Sequence, residues 1–235
     1  MDNLTVLKTL VLADCGSRRA MADAIKKQRV LVNGVIVESF KQEFHLDRDT
    51  LYLDGNPVAL SQHEPVYIMF NKPVGVLSTT IDERGRRTVL DLLPLEYRVL
   101  NLHPVGRLDM DSNGLLLLTN DGKLTFRLTH PSFEKEKEYI VSLDRRLDKS
   151  DRERFERGLE LEDGPTWPTA VREATGLPLT YHVLLHEGRK RQLRRMFASL
   201  GYRVETLKRI RIGNLTLGEL PEGHIRVISK SEVEP

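Results

Sequence analysis

Four consecutive leucines, Leu115–Leu118, lie between Gly114 and a polar segment at 119–122 that ends in Asp-Gly. Successive side chains of a β-strand point to opposite faces, so a strand with leucine at every position is buried on both faces. Leucine mildly favours helix, but a run of four residues between turn signals suits a strand better. This run therefore predicts a fully buried strand.

The rest of the second half of the chain predicts further strands and a few helices. Strands are predicted at 66–70, 139–143 and 182–185, with strand-like runs continuing through Ile228. Helices are predicted at 88–93 before Pro94, at 148–159, and around the apolar stripe Leu193, Met196, Phe197 and Leu200, which Gly201 closes. Strands outnumber helices and mostly meet through turns. The predicted class is α+β, with a large, mostly antiparallel mixed sheet and flanking helices.

The first 60 residues predict a separate small module. Leucines at helical spacing indicate a helix over about 4–13, and Ser17 is a good N-cap for a second helix to about Lys27. Asn33-Gly34 between two β-branched runs predicts a tight hairpin, and Asp54-Gly55 predicts another. The segment 61–65 is polar and ends in proline, which is typical of a linker. We therefore expect domains at 1–60 and 66–235.

Composition and charge narrow the functional classes. No apolar run approaches the ~18–20 residues of a membrane helix, and the N-terminus lacks the features of a signal peptide. A single cysteine, Cys15, excludes an internal disulfide framework. These observations predict a cytoplasmic protein that does not bind membranes.

The charge distribution is uneven although the net charge is only +2. The segment 186–211 carries nine basic residues against two acidic ones. A concentrated basic stripe is typical of a protein that binds a polyanion, although a solvated helix face gives the same pattern.

The segment 109–114, Asp-Met-Asp-Ser-Asn-Gly, matches the start of a calcium loop. A calcium loop needs a bidentate glutamate at position 12 and a helix on each side. Position 12 is Asn120, and the flanking sequences are poor helices. With calcium binding disfavoured, Asp109 either makes a local turn or presents a reactive carboxylate at the edge of the leucine strand.

Several longer motifs resemble one enzyme family. The segment 103–122, HPVGRLDMDSNGLLLLTNDG, looks like the central motif of bacterial ribosomal pseudouridine synthases of the small-subunit type A and large-subunit types B, E and F. NKPVG at 71–75, KEY at 137–139 and EGRKRQLRRMFASLG at 187–201 resemble that family's other motifs. Residues 1–60 resemble the S4 RNA-binding module that precedes the catalytic domain in these enzymes.

The resemblance implies isomerisation of a uridine in ribosomal RNA to pseudouridine, with no cofactor and no metal. It assigns Asp109 as the nucleophile and Tyr139 as the residue that stacks on the target base. It implies that Arg194 pairs with the Asp109 carboxylate and helps to hold the flipped nucleotide. Arg107 and Lys72 match motif positions and are candidate substrate-binding residues.

The resemblance also implies RNA contacts outside the reactive site. The candidates are the basic or helix-capping residues Ser17, Arg18, Arg19, Lys26, Lys27, Arg189, Arg191 and Arg195. Some relatives have histidine where this chain has Arg191, and the segments 82–94 and 161–171 lean towards the large-subunit type B. The expected partner is therefore large-subunit ribosomal RNA or an assembly intermediate, bound by a monomer. The alternatives are a small-subunit target and a non-catalytic S4-type RNA-binding protein.

Overall fold

The structure is a computed structural model that describes residues 4–13, 15–59 and 64–234. It divides into two compact units, Met1–Glu64 and Pro65–Pro235. The predicted linker at 61–65 falls largely outside the described residues, which resume at Glu64.

The described residues of the first unit form two helices and six short strands. Its elements are β1 Leu4–Thr5, α1 Val6–Leu12, α2 Arg18–Lys26, β2 Val30–Val32, β3 Val35–Ile36, β4 Glu43–Phe44, β5 Leu51–Leu53 and β6 Asn56–Pro57. The strands form a sheet in the order β3-β2-β5-β6 and a separate β1-β4 pair. The apolar faces of both helices pack with the inner side of the sheet in one core.

Local chemistry explains where these elements begin and turn. The Ser17 side chain accepts a hydrogen bond from Ala20 N and caps α2, as predicted. Asn33 and Gly34 both have positive φ, 51° and 83°, as a two-residue type I′ hairpin requires. The predicted hairpin between β2 and β3 is thus confirmed, and Asp54-Gly55 makes the corresponding turn between β5 and β6.

The second unit is built on one large sheet. Its strands are β7 Tyr67–Lys72, β8 His103–Pro104, β9 Asn113–Thr119, β10 Lys137–Leu143, β11 Glu160–Leu161, β12 Gly164–Pro165, β13 Ala170–Glu173, β14 Thr180–Leu185, β15 Val204–Ile212, β16 Leu215–Thr216 and β17 Ile225–Val227. Its helices are α3 Leu95–Arg98, α4 Gly122–Thr129, α5 Lys149–Arg157, α6 Gln192–Ser199 and α7 Lys230–Val233, with 3-10 turns at Leu90–Leu92 and Pro131–Phe133.

The main sheet follows the order β13-β14-β10-β15-β9-β7-β17, with β16 on β15 and β8 on β9. Only β15 and β9 pair in parallel among the described strands, and the other pairs in this sheet are antiparallel. The predicted α+β class with a mostly antiparallel mixed sheet is confirmed.

The four-leucine strand lies near the middle of this sheet and is buried on both faces. Leu116 and Leu118 belong to a large core that includes Phe155 of α5 and Phe197 of α6. Leu115 and Leu117 belong to a second, smaller core. Because side chains alternate along a strand, the two cores lie on opposite faces. The prediction from the leucine run is confirmed.

Some predicted boundaries are wrong. Instead of an α-helix at 88–93, the chain makes a shorter 3-10 turn at Leu90–Leu92, and Pro94, which follows its C-cap, is also the N-cap of α3. Proline lacks an N–H and is tolerated at a helix start, so it also marks beginnings. Helix α4 was not predicted, although Asp121 caps it with hydrogen bonds from Lys123 N and Leu124 N. None of the helices in the described ranges is long and apolar enough to span a membrane.

Candidate active site

Asp109 stands in a tight turn just before the leucine strand. Ser112 N donates to Asp109 O across 3.1 Å, which closes the turn, and β9 begins at the next residue. Gly75 N donates to Met110 O across 2.7 Å and ties the turn to the segment after β7. The turn therefore holds the half-buried Asp109 side chain at the N-terminal end of β9.

Lys72 stabilises this turn through hydrogen bonds from its buried ammonium group. Its ammonium donates to three backbone carbonyls: Pro73 O at 2.9 Å, Asp109 O at 3.2 Å and Ser112 O at 2.8 Å. The side chain is fully buried, and burial lowers the pKa of Lys72 from 10.5 to about 8. The polar atoms of Lys72 thus face the backbone inside the protein, and a contact between Lys72 and substrate stays a prediction.

A cavity of about 500 Å³ opens beside the turn. Asp109 and Arg107 line it from one side, and Tyr139 of β10 lines it from the sheet. The segment that leads into α6 contributes Arg189, Lys190 and Arg191. The structure thus brings the predicted nucleophile and the predicted stacking residue to one cavity with a basic rim.

Tyr139 owes its placement to an irregularity in the sheet. The register between β10 and β15 shifts between Glu138, which pairs with Arg211, and Tyr139, which pairs with Arg209. A bulge of this kind re-aims the side chain next to it. The Tyr139 side chain is only 8% exposed, so its aromatic surface lies inside the cavity wall rather than on the outer surface.

Arg194 makes a different pair from the predicted one. Its guanidinium donates to Asp111 O at 2.8 Å and to Val204 O at 2.9 Å, and its Nε lies 3.3 Å from Asp111 Oδ2. The predicted pairing with the Asp109 carboxylate is wrong in this structure. Because Asp111 is two residues beyond Asp109, the contact still fixes the far end of the same turn.

Arg191 completes this arrangement with two hydrogen bonds to the Asp111 carboxylate, at 3.0 and 2.8 Å. Partial burial raises the pKa of Asp111, but the Arg191 hydrogen bonds and the Arg194 charge outweigh it and lower the pKa below 3.8. The bidentate pair holds Asp111 ionised and occupied. Asp109 alone of the two aspartates lines the cavity.

Two other arginines with predicted RNA contacts also have intramolecular partners. Arg195 donates to both carboxylate oxygens of Asp163, at 2.7 and 2.9 Å. Arg189 donates to Glu187 and to the backbone carbonyls of the turn between β11 and β12. These contacts fasten the turn to the start of α6. Any RNA contact by Arg195 would have to share the guanidinium with Asp163.

Two cavity residues escaped prediction. Arg209 of β15 is 3% exposed and lines the cavity; its Nε donates to Leu115 O, while its buried Nη2 has no partner. Lys137 also lines the cavity, and burial followed by the nearby Arg209 charge lowers the pKa of Lys137 to about 8. Lys137 stands in the KEY motif at 137–139 but was given no role there, and Arg209 has the sequence context of an ordinary strand cation. The tertiary pairing of β10 with β15 brings both to the cavity.

The candidate RNA-binding residues of the first unit lie on or beside α2. Arg18, Arg19, Lys26 and Lys27 are exposed. Lys27 pairs with Asp23 at 2.8 Å, and the Lys26 ammonium lies 5.9 Å from the Phe40 ring centroid. These surface contacts are weak and exchangeable, so the cations stay available to a phosphate backbone.

The placement of side chains in the described residues does not support a metal site. Within residues 4–13, 15–59 and 64–234, no three His, Cys, Asp or Glu side chains are placed to hold a metal ion. Asp111, which a calcium loop would use as a ligand, forms ion pairs with Arg191 and Arg194.

Comparison with known proteins agrees with the sequence motifs. The family model described as RNA pseudouridylate synthase matches residues 66–199. An uncharacterized RNA pseudouridine synthase of Mycobacterium leprae is 38% identical over 229 residues, which cover 96% of this chain and 89% of that protein. The ribosomal large subunit pseudouridine synthase B of Bacillus subtilis is 35% identical over 232 residues, with coverages of 97% and 93%. A crystal structure of a pseudouridylate synthase, 32% identical, superimposes with a TM-score of 0.71 over 98% of both chains.

Proposed function

Because this chain belongs to the RNA pseudouridylate synthase family, we propose that it isomerises a specific uridine of large-subunit ribosomal RNA to pseudouridine. In this reaction the bond from the ribose to the base nitrogen breaks, the detached uracil turns, and the ribose bonds to carbon 5 of the base. The proton on carbon 5 leaves and the first nitrogen regains one, so no second substrate is consumed.

The observation that carries the proposal is the convergence of Asp109 and Tyr139 on one cavity. A volume of about 500 Å³ is within the range of ligand sites and accommodates a single nucleotide. The reacting atoms of a paired uridine are hidden in its helix, so the nucleotide must be flipped out into such a cavity. Tyr139 offers an aromatic face to the flipped base, and Asp109 offers an oxygen nucleophile.

The remaining polar residues divide into two roles. Lys72 and Arg194 hold the two ends of the Asp109 turn through its backbone carbonyls and Asp111. Arg107 is exposed on the cavity wall and is suited to the phosphate of the flipped nucleotide. A preorganised turn matters because a small misplacement of the nucleophile has a large effect on rate.

Beyond the flipped nucleotide itself, we assign RNA backbone contacts to cations of both units. Residues 1–60 would act as an S4-like module, with Ser17 capping α2 and Arg18, Arg19, Lys26 and Lys27 facing RNA. Arg191, together with the shared guanidinium groups of Arg189 and Arg195, would serve the catalytic unit 66–235. The partner would be ribosomal RNA or an assembly intermediate in the cytoplasm, bound by one copy of the protein.

The choice of large-subunit RNA rests on Arg191, on the segments 82–94 and 161–171, and on the relatives named ribosomal large subunit pseudouridine synthase B in Bacillus subtilis and Vibrio cholerae. A small-subunit target is the second candidate for the same reaction.

The test compares Asp109→Asn with Asp111→Asn. Both changes replace a carboxylate with an amide of the same size in the same turn. We expect Asp109→Asn to bind RNA but form no pseudouridine, and Asp111→Asn to retain activity. Pseudouridine is mapped in large- and small-subunit RNA after incubation with each protein. An active Asp109→Asn variant would disprove the nucleophile, and modification of small-subunit RNA alone would disprove the target.

A further inference from the structure

The cavity wall contains one large aromatic side chain that the reaction does not use. Trp167 is the only tryptophan in the chain, and it lines the Asp109 cavity. Its side chain is 43% exposed, whereas Tyr139 in the same wall is 8% exposed. A tryptophan left this open to water at the mouth of a cavity offers a large apolar face that the folded protein does not itself cover.

The backbone around Trp167 is held rigidly. Trp167 N donates to Glu187 Oε1 at 3.1 Å, and the neighbouring Thr166 exchanges hydrogen bonds with Leu159 through its N–H and its hydroxyl. On the other side, the Thr169 hydroxyl donates to Leu184 O. Pro168 restricts Trp167 to extended backbone conformations. The backbone that carries the ring is therefore fixed, which reduces the conformational entropy that is lost on binding.

The surrounding hairpin is fastened to the start of α6. Arg189 donates to the carbonyls of Asp163, Gly164 and Pro165 at the β11–β12 turn, and Arg195 pairs with Asp163. These contacts join Trp167 to the helix that also carries Arg191. The backbone that carries Trp167 is thus held beside the cavity by several independent contacts.

The charges beside Trp167 suit a polyanion. Lys190 and Arg191 are exposed and line the same cavity, which the half-buried Lys135 also lines. The nearby acid Glu187 is already occupied, since it accepts from Trp167 N, Arg189 and Gln192. An aromatic face beside cations is the combination that binds single-stranded nucleic acid, through base stacking and phosphate contacts. Arg191 would share its guanidinium between Asp111 and the RNA.

From these observations we propose that Trp167 stacks on an unpaired base of the substrate RNA next to the target uridine. Tyr139 would stack on the flipped base inside the cavity, and Trp167 would stack on a neighbouring base of the same RNA strand at the cavity mouth. Stacking tolerates any base, so Trp167 would supply affinity and fix the strand's path rather than read sequence. This inference rests on the proposed function, because it takes the cavity to be the uridine site.

Intrinsic fluorescence tests the inference directly, because Trp167 is the only source of tryptophan emission. The full-length Asp109→Asn protein, which binds without converting the RNA, is titrated with a stem-loop of large-subunit RNA that carries unpaired uridines. We expect saturable quenching of the emission, with a fully paired duplex of equal length quenching much less. Unchanged emission at RNA concentrations that saturate binding would overturn the proposal.

Variants separate stacking from a structural role. Trp167→Ala should weaken binding about 5- to 100-fold, the range typical of losing one base–aromatic stack, and should raise KM far more than it lowers kcat. Trp167→Phe should recover much of the loss because it restores an aromatic face. Phe133→Ala is the matched control, since Phe133 is similarly exposed, at 41%, and does not line the cavity. Equal losses in Trp167→Ala and Phe133→Ala would overturn the proposal, as would full affinity in Trp167→Ala.

The two proposals fail separately. If wild-type protein forms pseudouridine but the emission does not respond to RNA, the stacking role is wrong and the function stands. If the emission is quenched and Trp167→Ala weakens binding while no pseudouridine forms in any ribosomal RNA, the proposed reaction is wrong and the stacking surface stands.

Discussion

Lys72→Met is the most informative single change, because it removes the ammonium beneath the Asp109 turn while keeping a side chain of similar length. Three carbonyl oxygens, of Pro73, Asp109 and Ser112, then lose their donor. Hydrogen bonds to a charged group contribute about 1.5–3 kcal/mol each. Against this, the pKa of Lys72 falls from 10.5 to about 8, so holding the charge inside costs the wild type about 3 kcal/mol at neutral pH. The net expectation is a destabilisation of about 1.5–6 kcal/mol.

The pH dependence gives this prediction a sign. The folded pKa of Lys72 lies below the unfolded value, so between about pH 8 and 10.5 the unfolded state binds more protons. Stability from this group therefore rises with pH through that window. Wild type should gain about 2 kcal/mol relative to Lys72→Met between about pH 7 and 9.5. Lys137, whose pKa is also lowered to about 8, contributes to both proteins and cancels in the difference.

The assay is urea denaturation of both proteins across this pH range, with Lys149→Met, which removes an exposed lysine of α5, as the control. The control should track wild type at every pH. We also expect kcat of Lys72→Met to fall about 10- to 100-fold as the turn loses its anchor. A stability difference that stays flat or narrows as the pH rises would refute the assignment of a buried, charged Lys72.

Two further predictions concern the sheet and the first unit. Gly114→Ala should destabilise the protein by about 3–5 kcal/mol in urea denaturation, because Gly114 has φ 103° and a Cβ there would lie 2.2 Å from Arg209 O. The control Gly122→Ala, with open space around it, should be near neutral. Equal urea midpoints for the two variants would contradict the close approach of β9 and β15. Replacing Arg18 and Arg19 with alanine should weaken RNA binding and reduce the slope of log affinity against log salt by roughly 1–2, one for each phosphate that is no longer neutralised; an unchanged slope would place the RNA elsewhere.

The parts of the fold that follow from local chemistry were predictable. The Ser17 cap, the Asn33-Gly34 turn and the leucine strand each depend on residues within a few positions of one another, and the sequence shows them directly. The segment around Pro94 failed because proline is compatible with a helix start as well as a helix end. Helix α4 was missed because Asp121-Gly122 also has the composition of a turn.

The site was predictable only where a motif carries it. Asp109 and Tyr139 stand in motifs and do converge on one cavity. The partner of Arg194 could not be predicted, since Asp109 and Asp111 are two positions apart in one turn and only the packed structure decides which of them the guanidinium reaches. Arg209 faces the cavity because of a register shift between β10 and β15, and no local pattern records such a shift.

The parallel pairing of β9 with β15 has a consequence for biosynthesis. The leucine strand can pair with β7 and β8 as soon as residue 119 is made, but Asn113 and Gly114 at its start pair with β15, which is complete only at Ile212. Until then a nascent chain carries four leucines whose two cores lack Phe155, Phe197 or Ile212, and such exposed apolar surface promotes aggregation. The described strand pairs of the first unit all lie within residues 4–57, so its sheets can form before the second unit is translated. Translation that stalls before Ile212 would therefore release a folded N-terminal module attached to an aggregation-prone stump.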